Sequence, residues 1–311
     1  MSKLKTIFMG TPDFAVPCLE VLQAKTEVLA VITQPDRPKG RGHNLQASPV
    51  KQKALEYNLP VLQPEKIKTE EFTAELEKLQ PDLIVVVAFG QILSQRILDI
   101  PPLGCVNVHA SLLPRYRGAA PIHWSIINGE KETGVTTMLM DAGLDTGDML
   151  LKDNVAITEE MTTEELHDQL MAMGGKLLAE TIDGLANGTI TPEKQDDSIS
   201  NYAGMLNKEA GHIDWSKSAV EIHNLIRGLN SWPVAWSMKD GKNYKFWRTK
   251  AEKSNSDKAP GTVVELRKNS FCIATGEGLL EVLEIQPPSK KRMSAGDLLR
   301  GHGVAVGDIF N

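Results

Sequence analysis

Cysteine is nearly missing from this chain: Cys18, Cys105 and Cys272 are the only three in 311 residues. They are odd in number, far apart and set among apolar neighbours. That excludes a disulfide framework and a paired-cysteine metal site, and it fits reduced buried thiols in a cytoplasmic protein. No apolar run approaches the roughly 18 residues of a membrane span, and residues 1–10 are too poor in apolar side chains for a signal peptide. The glycine fingerprint of a dinucleotide site is also absent. After Gly10 come Thr11, Pro12, Asp13 and Phe14, so a pyrophosphate could not approach the backbone as NAD requires, and an NAD-dependent oxidoreductase is set aside. The loop at 141–148 holds three carboxylates and two glycines but lacks the closing bidentate glutamate of a calcium loop, so no metal is expected.

What is present describes an ordinary globular protein, with 24% charged and 41% hydrophobic residues. The length allows two domains. The net charge of −6 is unevenly spread. Residues 206–311 carry 16 Lys and Arg against 12 Asp and Glu, whereas residues 1–205 carry 18 against 28. A basic C-terminal third admits a polyanionic partner; a solvated surface accounts for the same numbers.

Along the chain, residues 4–9 read as a strand, followed by a Gly-Thr-Pro-Asp turn and a helix through Leu19 and Leu22. This is the opening of a doubly wound α/β sheet. A second strand at 28–32 runs into a long loop at 34–46, which has three cations among two prolines and two glycines. The loop is expected to be mobile and solvated. It is either an excursion without function or a lid offering Arg37, Lys39 and Arg41 to a phosphate backbone. Ser48 and Pro49 start a helix, residues 59–63 form a short strand, and residues 69–79 have amphipathic spacing. Residues 83–88 are continuously apolar, as a central parallel strand should be. Further strands are expected at 135–140 and 149–157, with a helix at 122–128 between the first of these and the stretch at 104–115. Thr162 and Glu165 supply a capping box for a long helix to about residue 185. Residues 188–205, rich in Asn, Gly, Thr, Pro, Asp and Ser, read as a linker. After a helix at 219–229, short strands near 234–238, 244–248, 262–266, 270–275 and 279–285 suggest a small β-barrel. The expected division is therefore 1–187, 188–205 and 206–311.

One stretch stands apart, residues 104–115. It starts as a buried strand and places Asn107 and His109 two residues apart, on one face of that strand. Ser-Leu-Leu-Pro then bends the chain away. An amide beside a titratable imidazole is the shape of a site, although a strand with two capped polar side chains has the same spacing.

The run Asn107-Val108-His109-Ala110-Ser111-Leu112-Leu113-Pro114-Arg115-Tyr116-Arg117-Gly118, with Gly143-Leu144-Asp145-Thr146-Gly147-Asp148, resembles the folate-dependent formyltransferases. The opening run 8–17 and, more loosely, Met293-Ser294-Ala295-Gly296-Asp297-Leu298-Leu299 extend the likeness over essentially the whole chain, to those members that formylate initiator Met-tRNA. The resemblance implies a Rossmann-like catalytic domain with a mostly parallel sheet and a C-terminal, OB-like small barrel that helps hold tRNA. It implies a cytoplasmic monomer that uses 10-formyltetrahydrofolate as formyl donor. Carried over residue by residue, Asn107 and protonated His109 are oxyanion donors, and Asp145 orients His109 and relays the amine's proton. Ser111, Leu112, Leu113 and Pro114 form the folate motif, and Gln91, Ile92 and Leu93 the segment whose backbone meets the pterin. The loop at 34–46 becomes a tRNA-facing insertion in which Arg41 reaches the acceptor end beside Arg37 and Lys39, and Phe14 is a candidate for the methionine side chain. An aminosugar-nucleotide formyltransferase shares the catalytic motifs; the cationic loop and the basic C-terminal third favour tRNA. A non-catalytic RNA-binding protein would have no use for Asn107, His109 and Asp145 together.

Overall fold

The computed structural model describes residues 3–39, 44–254 and 256–311. In chain order the first elements are β1 (Lys5–Gly10), α1 (Val16–Lys25), β2 (Glu27–Ile32), β3 (Arg37–Lys39), β4 (Asn44–Gln46), α2 (Pro49–Glu56), β5 (Val61–Leu62), α3 (Glu70–Leu79), β6 (Leu83–Val87), α4 (Gln95–Leu98), β7 (Cys105–His109) and β8 (Arg117–Gly118). They are followed by α5 (Pro121–Ile127), β9 (Glu132–Leu139), β10 (Met149–Ala156), α6 (Thr163–Asn187) and β11 (Tyr202–Ala203). The C-terminal elements are α7 (Ala219–Gly228), β12 (Ala235–Lys239), β13 (Lys242–Glu252), β14 (Val263–Leu266), β15 (Phe271–Ala274), β16 (Leu279–Gln286), β17 (Met293–Ser294) and α8 (Ala295–Arg300).

The first unit is built on a seven-stranded sheet of order β10-β9-β7-β6-β1-β2-β5. β1 pairs in parallel with β2 and β6, β2 with β5, and β6 with β7, whereas β9 runs antiparallel to β7. This is the mostly parallel, Rossmann-like sheet that the continuous apolar runs predict. Ile7, Met9, Ile32, Ile84, Val86 and Cys105 form one core with Phe72 and Leu76 of α3 and Ile97 and Leu98 of α4. α6 is tied to the same sheet by the buried hydroxyl pair Thr137–Thr181, 2.8 Å apart. Helix starts follow their caps. Ser48 Oγ accepts from Lys51 N at 3.0 Å with Pro49 in the first turn, and Glu165 Oε2 accepts from Thr162 N at 2.8 Å.

In the loop at 34–46, Arg37, Pro38, Leu45 and Gln46 are exposed, as a solvated loop requires, but the described residues also form regular structure. Arg37 pairs with Gln46, and Pro38 with Leu45, in an antiparallel ladder. Its base is fastened where the Asp36 carboxylate accepts from Lys51 Nζ at 2.6 Å and from Gln63 Nε2 at 2.8 Å, contacts that hold the carboxyl below its usual range. Arg37 is exposed, Lys39 ends β3, and Arg41 lies outside the described residues.

The second unit interleaves with the first in sequence. Residues 119–132 and 156–166 pack with residues 203–311 rather than with the sheet they adjoin in the chain. The reason is local. Gly228 of α7 lies against Ile127 of α5, Thr163 Oγ1 donates to Gly228 O at 2.6 Å, and buried Arg227 donates to the carbonyls of Thr158 and Met161. The C-terminal sheet has the order β12-β13-β16-β15-β14, antiparallel throughout, with β17 on β16. Its two edges are joined by residues 308–311. Met238 and Asn311 exchange backbone hydrogen bonds of 2.8 and 2.9 Å, while Val263 N donates to Asp308 O at 2.8 Å and Phe310 N to Gly261 O at 2.9 Å. The sheet thereby closes as a small barrel. Phe310 sits at its centre, with ring centroids 5.4 to 6.5 Å from those of Trp215, Tyr244, Phe246 and Phe271.

A buried histidine ties residues 156–166 to this barrel. His223 Nε2 donates to Glu159 O at 3.0 Å, so Nδ1 is the acceptor for Thr249 Oγ1 at 3.1 Å. Burial depresses its pKa, aided by Arg227 and opposed by Glu159 and Glu160. A histidine whose pKa is lower folded than unfolded binds more protons when unfolded. Stability is then lost as pH falls below about 6.5. Denaturant titrations between pH 7.5 and 5 should show this loss in the wild type and a flatter profile in His223→Gln; identical slopes would remove His223 as its source.

Candidate active site

The parallel strands deliver their C-terminal ends to one edge of the sheet, where open α/β folds bind ligands. Three of the turns there are stitched together. The carbonyl of Phe89, after β6, accepts from Thr11 Oγ1 after β1 at 3.1 Å and from Gln34 Nε2 after β2 at 3.2 Å. Gly90 supports this turn at φ +87°, a conformation that favours glycine.

β7 ends at the same edge. Asn107 lies opposite Val86 and Met138, and His109 opposite Thr136, so the same-face placement expected from their spacing holds. Asp145 arrives from the loop after β9. Its Oδ1 accepts from Asn107 Nδ2 at 3.3 Å, its Oδ2 accepts from Gly118 N at 2.8 Å, and its Oδ2 lies 3.7 Å from His109 Nδ1. The three residues, separated by up to 38 positions, thus converge in space. His109 Nε2 is 2.9 Å from the Tyr116 carbonyl. A carbonyl only accepts, so Nε2 carries a hydrogen and Nδ1 is the ring atom that faces Asp145. Both groups are well buried, with His109 6% and the Asp145 side chain 13% exposed. Asp145 itself sits in the left-handed region at φ 54°, a conformation that aspartate tolerates better than most residues.

The turn between β7 and β8 is internally braced. Ser111 Oγ donates to Arg115 O at 2.7 Å, Thr136 Oγ1 donates to Ser111 O at 2.7 Å, and Leu113 N donates to Thr136 Oγ1 at 3.1 Å. Leu113 packs with Met138 and Met149. Ser111, Leu113 and Pro114 are buried, with Leu112 partly so. On the neighbouring turn, Gln91 accepts from Ile67 N at 3.0 Å, Leu93 joins the core, and Ile92 is 70% exposed. What residues 91–93 can offer a ligand is therefore backbone and the Ile92 side chain. Phe14 is buried with its ring 5.4 Å from that of His167. No helix is long and apolar enough to cross a membrane, and no group of three or more His, Cys, Asp or Glu could hold a metal ion, among the described residues.

Sequence reasoning passed over Tyr116, Gln195 and Asn201. Tyr116 supplies the carbonyl on which His109 rests. Gln195 Nε2 donates to the carbonyls of Asp145 and Gly147 at 2.8 and 2.7 Å, and Asn201 Oδ1 accepts from Tyr116 N at 2.5 Å. The last two lie in the polar stretch read as linker. The available signal was Arg117, a charge close behind the Ser-Leu-Leu-Pro turn that needs a partner once buried.

On this architecture the chain was compared with known proteins. The family described as formyl transferase matches residues 4–182, and its C-terminal domain matches residues 205–303. A methionyl-tRNA formyltransferase of Clostridium perfringens is 55% identical over 99% of this chain and 100% of its own length. One from Trichlorobacter lovleyi is 54% identical over 100% and 98%. Among solved structures, an N-formyltransferase from Helicobacter canadensis, in complex with folinic acid and dTDP-3-aminofucose, has a TM-score of 0.67 at 24% identity, covering 91% of this chain and 99% of that one; at that identity the likeness is one of fold. The chain belongs to the formyl transferase family. It is an enzyme that moves a one-carbon formyl group.

The close approach at Gly147 gives a first check on the loop that carries Asp145. A Cβ there would fall 1.7 Å from Leu139 O, so Gly147→Ala must displace either the loop or β9. We expect a loss of about 1–3 kcal/mol in thermal or denaturant unfolding. Wild-type stability in this variant would show that the loop is not held as described.

Proposed function

We propose that the chain transfers the formyl group of 10-formyltetrahydrofolate to the α-amine of methionine on initiator Met-tRNA, with Asn107, His109 and Asp145 as the reacting trio. The observation that carries this reading is the convergence of an amide donor, an imidazole and a carboxylate at the C-terminal edge of the sheet. The amine attacks the formyl carbon, a C–N bond forms, and the carbonyl oxygen becomes an oxyanion. Asn107 Nδ2 has a second hydrogen beyond the one it gives Asp145, and it donates that hydrogen to the oxyanion. His109 acts in its doubly protonated form: Nε2 stays on the Tyr116 carbonyl, and Nδ1–H, on the side of its Asp145 counter-charge, is shared with the oxyanion. The attacking amine's proton passes to Asp145 and is relayed to the folate N10, which takes it as the C–N10 bond breaks and leaves as the neutral amine while the tetrahedral centre collapses. A missing oxyanion donor costs about 100- to 1000-fold in rate, and a missing acid–base group about 100- to 10,000-fold.

The folate is assigned to the braced turn at 111–114 together with the backbone of residues 91–93. The likeness to relatives that formylate Met-tRNA over their whole length supports the acceptor, and so does the excess of Lys and Arg over Asp and Glu in residues 206–311. β13 carries Lys242, Lys245, Arg248 and Lys250 with no carboxylate among them before residue 251. Beside it Arg292 lies over the Trp247 ring at 4.8 Å, an aromatic–cation surface of the sort that nucleic acids use. Arg37, Lys39 and Arg41 of the insertion and Phe14 at the sheet edge are the proposed contacts with the acceptor end.

His109→Ala and Asp145→Ala should lose formyl transfer in that range while retaining substrate binding; full activity in either variant removes this mechanism. Met-tRNA and an aminosugar nucleotide, assayed side by side, decide the acceptor, and turnover of the sugar alone would overturn the tRNA assignment. Neutral replacements of Arg37, Lys39 and Arg41 should raise the Michaelis constant for tRNA. They should also flatten its salt dependence by roughly 0.7 to 0.9 in log–log slope for each phosphate that is no longer neutralised. An unchanged slope counts against the insertion as a tRNA clamp.

A further inference from the structure

Arg117 is 3% exposed, and an arginine that deep must be paired and hydrogen-bonded. Both partners come from the polar stretch after α6. Arg117 Nε donates to Gln195 Oε1 at 3.0 Å and Nη2 donates to Asp197 Oδ1 at 2.7 Å. Because the guanidinium occupies the Gln195 oxygen, the amide nitrogen must point the other way, where it donates to Asp145 O at 2.8 Å and Gly147 O at 2.7 Å. The reverse amide orientation would set an oxygen against two carbonyls and a nitrogen against a guanidinium, so it is excluded. Gln195 therefore clamps the turn in which Asp145 is held at φ 54°.

Six residues on, the same segment reaches the other half of the site. Asn201 Oδ1 accepts from Tyr116 N at 2.5 Å, and Asn201 O accepts from Arg117 N at 3.0 Å. Tyr116 is itself in the left-handed region, at φ 59°, and its carbonyl accepts from His109 Nε2. The start of the segment is fastened too, since Glu193 and Met149 of β10 exchange backbone hydrogen bonds of 2.8 Å. One polar stretch thus supports Asp145 through Gln195 and His109 through Asn201 and Tyr116.

We infer that residues 193–201 are a positioning strap for the reaction, with Gln195 and Asn201 as positioning residues that hold Asp145 and His109 at their mutual separation. This rests on the reading of Asn107, His109 and Asp145 as the reacting groups. The two contacts differ in chemistry, and that difference makes the strap testable. Asn201 serves Tyr116 as an acceptor, which an aspartate reproduces. Gln195 serves Asp145 and Gly147 as a donor, which a glutamate cannot reproduce although it still accepts from Arg117.

The experiment is steady-state formyl transfer from 10-formyltetrahydrofolate to Met-tRNA by the full chain. The variants are Asn201→Asp, Asn201→Leu, Gln195→Glu and Gln195→Leu, with Asp145→Ala alongside. Misplacing a reacting group by about an ångström costs on the order of 100-fold. We expect kcat to fall by ten- to a hundredfold in Asn201→Leu, Gln195→Leu and Gln195→Glu, with both Michaelis constants within about threefold of wild type. Asn201→Asp should stay within about threefold in kcat. The near-isosteric pair, Asn201→Asp against Gln195→Glu, keeps the comparison decisive if a leucine variant fails to fold. Near-wild-type kcat in Gln195→Glu, equal losses in Asn201→Asp and Gln195→Glu, or a loss confined to the Michaelis constants would overturn the strap while leaving the trio in place, provided Asp145→Ala is inactive. An active Asp145→Ala would overturn the trio itself, and the strap with it.

Discussion

The first unit depends on how a single carboxylate is kept inside the protein. An unpaired buried charge is prohibitively costly, so Asp145 must draw its donors from wherever the chain can supply them. Asn107 comes from β7, Gly118 from β8, and Asp145 from the loop after β9. Each segment is held partly by what it gives to the carboxylate. Under the proposed reading, Asn107 gives its second amide hydrogen to the oxygen on which negative charge develops during formyl transfer, so that donor is in place before a substrate enters.

The sheet makes that arrangement simple to build. Parallel pairing of β1, β2, β6 and β7 places their C-terminal turns side by side, and one carbonyl, that of Phe89, ties three of the strands' turns at a point. β9 runs antiparallel to β7, with Thr136 beside His109 and Leu139 beside Val106, and the loop after it doubles back so that Asp145 reaches His109.

Much of this was legible in the chain. Periodicity and caps located nearly all the long elements, because Ser48, Thr162 and the apolar runs at 83–87 and 105–109 act locally. Asn107 and His109 declare their shared face by spacing alone. Asp145 does not: the link between positions 109 and 145 exists only once β9 has turned the chain, and only family likeness pointed to it beforehand. The stretch at 188–205 was misleading for the opposite reason. Its Gln, Asn and Asp residues have the composition of a solvated linker, yet they are polar because they satisfy a buried arginine and a row of backbone groups. The ladder between residues 37–39 and 44–46 was equally hidden, since nothing in their composition marks them as strands. α5 shows the limit of reading in chain order, because it packs on α7, a hundred residues away.

The closure of the barrel has a consequence for how the protein is made. Residues 308–311 are the piece that joins β12 to the strand pair at 261–274, and Phe310 fills the interior. Until that piece emerges from the ribosome, the nascent sheet has two raw edges and a hollow middle, a state open to pairing with other chains. The barrel is therefore completed only after synthesis has passed residue 310. Loss of residues 308–311 would do more harm to solubility than four residues would suggest.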